Sequence, residues 1–544
     1  MSFVATILER LREGAEREAL FEVDAGQGVS GGQLLARVGA LRALLRARGV
    51  QPGARVALLG PNSAAWVAAD LAALAEGAVV VPLDPRLSGE GLAAQVADAE
   101  PALLLCADLA RAPAGVAAVE LGAVGGAGAP PGEPARAAAP ADPATIVYTS
   151  GSTGRPRGAV LTHGGLEFML ARTTARLAQL TGRAVGEERA FHYLPLCYAG
   201  SRVLLLSALL RGARVALLAD PTRLGEALAP AAPDYLLNVP LVLERVRAGA
   251  RGALAARGRL AAGLLRRAEE AWARREEGRP APGDALWIGL FRATLGRAIR
   301  RRFGPRLAGM ICGSAPLMVD TQRFFRLLGV EVYQGYGLTE TTALCTLDVE
   351  GGVRPGWVGP PLPGVEMRRS PEGEVETRGP HVFAGYWRDP EASAALTTPD
   401  GWMRTGDLGE VDEAGRWRIL GRRSAQIALM SGYKVEPEPL EEALTRRLPG
   451  AQVLLFGQGR PGLVAVIAGQ VADEALAEAI EAENAARPPH QRVRGVVRAE
   501  EPFTPENGLL TANLKPRRRA VEARHAAALE AAWAGLGAVG AGAP

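Results

Sequence analysis

The chain has 544 residues, more than one hydrophobic core ordinarily serves, so we expect at least two domains. Its 62 basic and 58 acidic side chains leave a net charge of +4, which is too balanced to indicate nucleic-acid binding. The cysteines are scattered and form no CxxC pair, at Cys106, Cys197, Cys312 and Cys345. This spacing argues against a zinc site or a disulfide framework and predicts buried thiols in a reducing cytoplasm.

Neither the N-terminal segment nor the apolar run at residues 203–210 resembles a targeting or membrane-spanning segment. Charged residues enter the N-terminal segment too early for a secretory signal, beginning with Glu9 and Arg10. The apolar run Val203–Leu210 is shorter than a membrane span and lies between Arg202 and Arg211. We therefore expect a cytoplasmic protein that has at most a peripheral contact with a membrane.

The first third of the chain alternates strand-like and helix-like segments. A buried strand is predicted at residues 54–60, followed by a helix that ends at Gly77, and two further strands at 78–84 and 101–107. Residues 122–144 are rich in Gly, Pro and Ala and predict a loop, which leads into a short strand at 145–148. Strands that alternate with helices favour parallel sheets.

The middle of the chain is dense in arginine. Residues 248–302 predict a helix, a loop and a second helix, and residues 245–306 contain sixteen Arg but only five acidic side chains. We favour a solvated helical face as the interpretation. The alternative is a patch attracted to anionic lipid or to a polyanionic substrate.

The last part of the chain predicts a separate small domain. Residues 404–423 resemble two strands joined by a hairpin, a helix begins after Lys434, and residues 453–469 resemble two strands around a Gly-rich turn. We place the domain boundary at about residue 422. The predicted fold class is α/β, because strands alternate with helices in the N-terminal part. A large N-terminal domain (residues 1–421) has parallel-type sheets flanked by helices, and a small C-terminal α+β domain covers residues 422–544.

The stretch Tyr148–Gly158 has the composition of a phosphate-binding loop. Hydroxyls and backbone N–H groups in a Gly-rich loop can surround phosphate oxygens, and Arg155 and Arg157 add positive charge. A Walker-type loop does not fit, because Pro156 separates the arginines and Ala-Val-Leu follows Gly158. A polar surface turn is the remaining alternative, but eleven such residues directly after a strand disfavour it.

Residues 148–163 closely resemble the signature loop of the adenylate-forming superfamily, which contains acyl-CoA synthetases, peptide-synthetase adenylation domains and luciferases. Four further matches follow in the family's order, at residues 333–342, 401–409, 421–422 and 507–518. The resemblance implies that a carboxylic acid attacks the α-phosphate of ATP, giving acyl-AMP and pyrophosphate, before a second nucleophile takes the acyl group. It also implies that the small C-terminal domain is mobile.

The resemblance implies a nucleotide site built from several loops. Phosphate contacts would come from Thr149, Ser150, Gly151, Ser152, Thr153 and Gly154. The adenine would lie against Gly313, Ser314, Ala315, Gln334, Gly335 and Tyr336. The ribose hydroxyls would be bound by Asp407, assisted by Arg422, since a carboxylate accepts two hydrogen bonds.

The resemblance also implies a set of groups that neutralise charge during the reaction. Glu340 would hold Mg²⁺, with Thr149 as a second ligand, and Thr339 would contact the α-phosphate. Lys515 would approach the reacting carboxylate and α-phosphate, and Arg157 would contribute charge at the phosphate loop. Gly432 would line the channel of the CoA thiol.

The chain departs from the family pattern at three places. Arg157 stands where the family usually has Lys, which keeps the charge. Tyr198 stands where a His is usual, so an aromatic wall for the acyl site remains but a role for imidazole does not. Ser424 and Ala425 replace a charged pair at the hinge, which puts the equilibrium between domain arrangements in doubt.

Three segments favour a long-chain fatty acid as the substrate. Residues 238–246, the insertion that includes residues 291–304, and residues 509–518 resemble those of long-chain acyl-CoA synthetases. CoA is the expected acceptor. A carrier protein is the first alternative, and a degenerate nucleotide- or lipid-binding module is the second. Glu340, Asp407, Arg422 and Lys515 argue against the degenerate module. The oligomeric state stays open.

Overall fold

The computed structural model describes residues 2–87, 89–123, 135–149, 156–431, 433–511 and 514–539. Its α-helices, in chain order, are α1 (Phe3–Glu13), α2 (Gly31–Ala47), α3 (Ala64–Ala75), α4 (Gly89–Ala99), α5 (His163–Thr181), α6 (Ala199–Leu210), α7 (Leu224–Ala231), α8 (Pro240–Ala256), α9 (Arg259–Glu276), α10 (Asp284–Phe291), α11 (Arg297–Arg300), α12 (Val319–Leu327), α13 (Pro390–Ala395), α14 (Glu438–Arg447), α15 (Asp473–Ala485), α16 (Arg518–Arg524) and α17 (Ala526–Val539).

The strands, in chain order, are β1 (Glu18–Glu22), β2 (Gln27–Ser30), β3 (Arg55–Leu59), β4 (Val79–Leu83), β5 (Leu103–Cys106), β6 (Ala118–Glu120), β7 (Pro143–Thr149), β8 (Arg157–Thr162), β9 (Arg189–His192), β10 (Arg214–Leu217), β11 (Tyr235–Asn238), β12 (Gly309–Cys312), β13 (Glu331–Tyr336), β14 (Thr346–Leu347), β15 (Glu366–Arg369), β16 (Glu374–Arg378), β17 (Gly385–Tyr386), β18 (Met403–Val411), β19 (Trp417–Arg422), β20 (Ile427–Ala428), β21 (Lys434–Val435), β22 (Gln452–Phe456), β23 (Leu463–Ala468) and β24 (Val493–Arg498).

Two largely parallel sheets form the centre of the N-terminal part. Their strand orders are β17-β8-β7-β4-β3-β5-β6 and β14-β13-β12-β11-β9-β10-β1-β2. The predicted strands at 54–60, 78–84 and 101–107 are β3, β4 and β5, which pair in parallel. Their apolar runs are buried because helices cover both faces of such sheets. The predicted α/β class is confirmed.

The phosphate-loop region begins and ends in neighbouring antiparallel strands. β7 pairs with β8 so that Thr149 lies opposite Arg157, and β17 adds Gly385-Tyr386 on the outer side of β8. The sequence predicted the strand before the loop but not the one after it. This second strand places Arg157 next to residues of β17, more than 200 positions later in the chain.

The arginine-dense segment is helical, but its first arm consists of two helices. α8 ends at Ala256 and α9 starts at Arg259, because Gly258 adopts a φ of +101°, which a helix does not accommodate. A π-helical turn at Arg292–Gly296 joins α10 to α11. The predicted helix–loop–helix order is otherwise confirmed, with the loop between α9 and α10.

An antiparallel sheet, β15-β16-β18-β19, ends the N-terminal part and leads into the C-terminal part, and its strands β18 and β19 form the predicted hairpin. The following sheet, β22-β23-β24, has an apolar core on each face. Leu463, Ala465 and Ile467 belong to the core that includes α14 and α15, whereas the alternate residues Val464 and Val466 face the core that includes α16 and α17.

Two further sequence expectations concern the chain as a whole. All four cysteines are buried with free thiols, as predicted. None of the described helices combines the length and apolar composition that crossing a bilayer requires.

Candidate active site

The carboxyl ends of β12 and β13 form one wall of the candidate site. These strands pair in parallel, with Cys312 opposite Gln334, so the segment after β12 and the end of β13 lie side by side. A Cβ on Gly313 would lie only 2.9 Å from the Gly335 carbonyl oxygen, so the two segments can approach this closely only with glycine at this position. The predicted residues Gly313, Ser314, Ala315, Gln334, Gly335 and Tyr336 are thus brought together.

The side chain of Gln334 has a structural role in this wall. Its amide nitrogen donates to Gln322 Oε1 and to the Trp357 carbonyl, both at 3.0 Å. The residue is buried. Contact with a ligand in the cleft would therefore come from its backbone rather than from its amide.

Asp407 is the buried carboxylate beside this wall, and two partners hold it. The Tyr336 hydroxyl donates to Asp407 Oδ2 at 2.6 Å, and Arg422 Nε lies 2.8 Å from Oδ1. Burial raises the pKa of Asp407, while the charge of Arg422 and the bond from Tyr336 act in the opposite direction. The arrangement fixes both oxygens of this buried carboxylate in place.

A second cluster forms around Glu340, where the chain makes a short 3₁₀ turn from Thr339 to Thr341. The Tyr386 hydroxyl donates to Glu340 Oε1 at 2.6 Å. The Arg157 guanidinium lies 5.5 Å from the centre of the Tyr386 ring, and its Nε is 3.4 Å from Asp389 Oδ2. Tyr386 therefore connects the candidate metal ligand Glu340 to Arg157, at the end of the predicted phosphate loop, a role that the sequence interpretation missed.

Lys515, from the C-terminal part of the chain, adds a cation to these charged groups. It lies on a turn in which the Thr511 amide donates to the Lys515 carbonyl at 2.7 Å, and the Lys515 amide donates to Thr511 Oγ1 at 3.1 Å. Although Lys515 keeps solvent-exposed surface, the surrounding protein displaces enough water for burial to lower the pKa of its amine. Arg422 adds to this effect, and the charges of Asp407 and Glu340 oppose it.

The structure thus brings Glu340, Asp407, Arg422 and Lys515 within electrostatic reach of one another, although they come from distant parts of the chain. Thr149 joins Arg157 at the foot of the phosphate loop, where its hydroxyl donates to the Arg157 carbonyl at 3.4 Å. The predicted residues Ser150, Gly151, Ser152, Thr153, Gly154 and Gly432 lie outside the described residues.

Glu340 offers a single carboxylate rather than a preformed metal cage. Within the described ranges, no group of three or more His, Cys, Asp or Glu side chains could hold a metal ion. This donor set fits Mg²⁺, because that ion commonly takes one or two protein carboxylates and completes its octahedron with water and substrate phosphates.

Tyr198 forms a polar cluster whose other members the sequence interpretation missed. Its hydroxyl donates to Asp84 Oδ2 at 2.9 Å, and Arg86 contacts both the phenol oxygen and the Asp84 carboxylate. Burial raises the pKa of Tyr198. Burial also acts to raise the pKa of Asp84, but the hydrogen bonds and charge of Arg86 outweigh it, and the pKa ends below its usual range. The position of Asp84 directly after the parallel strand β4 was the available signal.

Comparison with known proteins identifies the family of this chain. Residues 8–387 match the family model described as AMP-binding enzyme, and residues 424–536 match the model of the AMP-binding enzyme C-terminal domain. Since the first match alone covers more than half of the residues, the chain belongs to the AMP-binding enzyme family.

Individual proteins similar to this chain include long-chain-fatty-acid–CoA ligases and a protein solved with ATP bound. The chain is 33% identical over 446 residues to a long-chain-fatty-acid–CoA ligase, FadD15, of Mycobacterium bovis, a match that covers 77% of this chain and 73% of the relative. It is 29% identical to human long-chain-fatty-acid–CoA ligase 1, over 70% of this chain and 59% of the relative. Among solved structures, ATP-bound MatB from Rhodopseudomonas palustris aligns with a TM-score of 0.74 at 26% identity, covering 96% of this chain and 99% of that one.

Proposed function

We propose that the protein is an AMP-forming acyl-CoA ligase that activates a long-chain fatty acid with ATP and transfers the acyl group to CoA. The observation that carries the proposal is that Lys515, from the C-terminal part, lies within electrostatic reach of Glu340 and Asp407. A cation from the C-terminal part beside two carboxylates of the N-terminal part is what a reaction between two anions needs. Similarity to long-chain-fatty-acid–CoA ligases supports the choice of acid.

In the first step, a carboxylate oxygen of the fatty acid bonds to the α-phosphorus of ATP. The bond from that phosphorus to the bridging oxygen breaks, and the electron pair leaves with pyrophosphate. Both reactants are anions, so the barrier falls when positive charge is placed between them. Lys515 supplies this charge at the reacting carboxylate and α-phosphate, and Thr339 donates to the α-phosphate.

The remaining nucleotide contacts position ATP for this attack. Asp407 and Arg422 bind the ribose, and Tyr336 lies against the adenine together with the backbone after β12. The residues from Thr149 to Gly154 bind the β- and γ-phosphates, and Arg157 adds charge where that loop ends. Glu340 and Thr149 would hold Mg²⁺, which supplies charge neutralisation on the phosphates when bound.

In the second step, the sulfur of CoA attacks the acyl carbon and the bond from this carbon to AMP breaks, with the thiol proton released. We propose that the C-terminal domain begins at Gly421-Arg422 and rotates between the two steps, bringing Gly432 to the thiol channel. Two ion pairs support this hinge, because they attach its first residues to the N-terminal part: Arg423 Nη1 lies 2.6 Å from Glu374 Oε2, and Arg422 pairs with Asp407.

We further propose that the protein works in the cytoplasm and touches a membrane surface through residues 245–306. A long-chain fatty acid is held in membranes, since each buried CH₂ group contributes about 0.8 kcal/mol. Peripheral contact would therefore bring the enzyme to its substrate.

Fatty-acid-dependent exchange of pyrophosphate into ATP tests the proposal, with a panel of acids of increasing chain length and Lys515→Ala as the control. We expect exchange that rises with chain length, and AMP release with loss of free thiol when CoA is added. If none of the carboxylic acids stimulates pyrophosphate exchange, the proposed activation step is wrong. Exchange without thiol consumption would overturn CoA as the acceptor.

A further inference from the structure

The helices α9 and α10 present large apolar side chains to solvent. Leu260, at the start of α9, is 93% exposed, and Leu286 and Leu290 on α10 are 67% and 43% exposed. The two leucines of α10 are four residues apart and therefore lie on one face of that helix. This outward-facing pair belongs to none of the hydrophobic cores of the described residues, and clustered apolar side chains on a surface are typical of interaction sites.

The segment that contains these two helices carries positive charge that its own acidic residues do not offset. Residues 245–306 contain sixteen arginines and five acidic side chains, a difference of +11. Each of those five acids forms an ion pair with an arginine, as between Glu269 and Arg251 or Asp284 and Arg274. In the described part of the chain, no ion pair forms at a further set of exposed arginines, Arg257, Arg259, Arg275, Arg297, Arg301 and Arg302.

A pocket of about 230 Å³ lies at the end of this surface, lined by Arg292, Arg297 and Arg300 together with Gly296, Leu328 and Gly329. Arg292 donates to the carbonyls of Leu327 and Arg326 at 2.8 and 2.9 Å, and Arg300 donates to the Gly329 carbonyl at 2.7 Å. These bonds hold two guanidinium groups at the pocket. Burial lowers the pKa of Arg292, and the charges of Arg275 and Arg300 lower it further, so an anion here would relieve repulsion.

The pocket is separate from the candidate active site. Gly329 lies two residues before β13, whereas Tyr336, at the opposite end of that strand, contacts Asp407. Five residues of extended strand correspond to roughly 17 Å. An anion bound among these arginines is therefore not the nucleotide of the reaction.

We propose that α9, α10 and α11 form a docking surface for an anionic phospholipid membrane, with the arginine pocket taking a lipid phosphate and the exposed leucines entering the interface. Charge complementarity selects this occupant, because a surface that combines unpaired arginines with exposed leucines matches a lipid head-group layer better than a soluble anion. The inference rests on the proposed membrane contact but not on catalysis. Binding can be measured without turnover.

Co-sedimentation of the whole protein with lipid vesicles tests the proposal. We expect binding to vesicles of phosphatidylcholine mixed with phosphatidylglycerol, weaker binding to phosphatidylcholine alone, and weakening by salt. One arginine near an anionic surface strengthens binding about fivefold, so the charge reversal Arg297→Glu should weaken it roughly 25-fold. The matched control Arg48→Glu reverses an exposed charge on another part of the surface and should bind like the unmodified protein.

A second variant distinguishes binding to a membrane from binding to a dissolved anion. Leu286→Ser with Leu290→Ser removes the apolar pair but leaves every arginine, and we expect at least tenfold weaker vesicle binding, whereas Leu109→Ser should change nothing. Absence of binding by the unmodified protein, equal losses in Arg48→Glu and Arg297→Glu, or full binding by the double serine variant would each overturn the proposal. Pyrophosphate exchange with a water-soluble acid, measured without vesicles, should be the same in all these variants, so failure of docking and failure of catalysis are distinguishable.

Discussion

The charged groups of the candidate site are held in two different ways. In the N-terminal part, Asp407 accepts a hydrogen bond from Tyr336 and pairs with Arg422, and Glu340 accepts one from Tyr386. Lys515 lies on an exposed turn closed by hydrogen bonds with Thr511. The difference fits our proposal, in which fixed carboxylates position the nucleotide and a mobile segment delivers the cation.

This comparison separates stability from chemistry. A buried carboxylate costs several kcal/mol unless its partners are present, so changes around Asp407 should affect both folding and activity. An exposed lysine contributes little to stability, so its loss should affect activity alone.

Replacement of Lys515 by Ala should have the largest effect. Loss of a preorganised cation at the developing charge typically lowers the rate about 100- to 1,000-fold, and we expect this loss in pyrophosphate exchange. The unfolding free energy should change by less than about 0.5 kcal/mol. Arg519→Ala, an exposed cation of the same segment, is the control, and an equal rate loss there would mean that the segment's net charge matters rather than Lys515.

The pH dependence of pyrophosphate exchange should reflect the titration of Lys515. Because the pKa of Lys515 lies below its usual value of 10.5, the cation is present at lower pH and is lost as pH rises, earlier than for an ordinary lysine. Exchange should then fall about tenfold per pH unit on the alkaline side. Lys515→Arg keeps its charge throughout, so its residual activity should lack this decline; a decline that persists would assign it to another group.

Tyr336→Phe should lower both the stability of the protein and its activity. The change removes a hydrogen bond to a buried carboxylate, so we expect the unfolding free energy to fall by about 1.5–3 kcal/mol and exchange to fall about tenfold through weaker ATP binding. Chemical denaturation and the KM for ATP measure the two effects. Tyr433→Phe, at an exposed tyrosine, should leave both unchanged. Unaltered stability in Tyr336→Phe would contradict a fixed Asp407.

Tyr198→Phe should have a smaller and more selective effect. The phenol of Tyr198 donates to Asp84, and its loss should cost about 1 kcal/mol of stability. If the ring forms a wall of the acyl site, the KM for the fatty acid should rise a few-fold, about fivefold for 1 kcal/mol, while the KM for ATP stays the same. A change in the KM for ATP alone would remove Tyr198 from the acyl site.

Arg157→Lys should have the smallest effect. A lysine can still place a cation over the Tyr386 ring and near Asp389, so exchange should remain within about twofold of its starting rate. A large loss would mean that the planar guanidinium makes a specific contact with the phosphates, and Arg157→Gln would then measure the share of charge alone.

The sequence by itself determined several local elements and the family of the protein. Apolar runs between turn residues identified β3, β4 and β5, and Asp412 to Gly415 identified the hairpin between β18 and β19, because these signals act over a few neighbouring residues. The composition of residues 148–158 indicated a phosphate loop, and the resemblance of separate segments indicated the family, which the comparisons confirmed.

Only the tertiary structure decided which of these residues meet. Tyr386 contacts Glu340 from 46 positions away, and Tyr198 contacts Asp84 from 114 positions away. Such pairs depend on the order and register of strands in a sheet, which periodicity does not encode. The same holds for the pocket of Arg292, Arg297 and Arg300, since a count of arginines gives a net charge but not the backbone carbonyls that fix two of them in place.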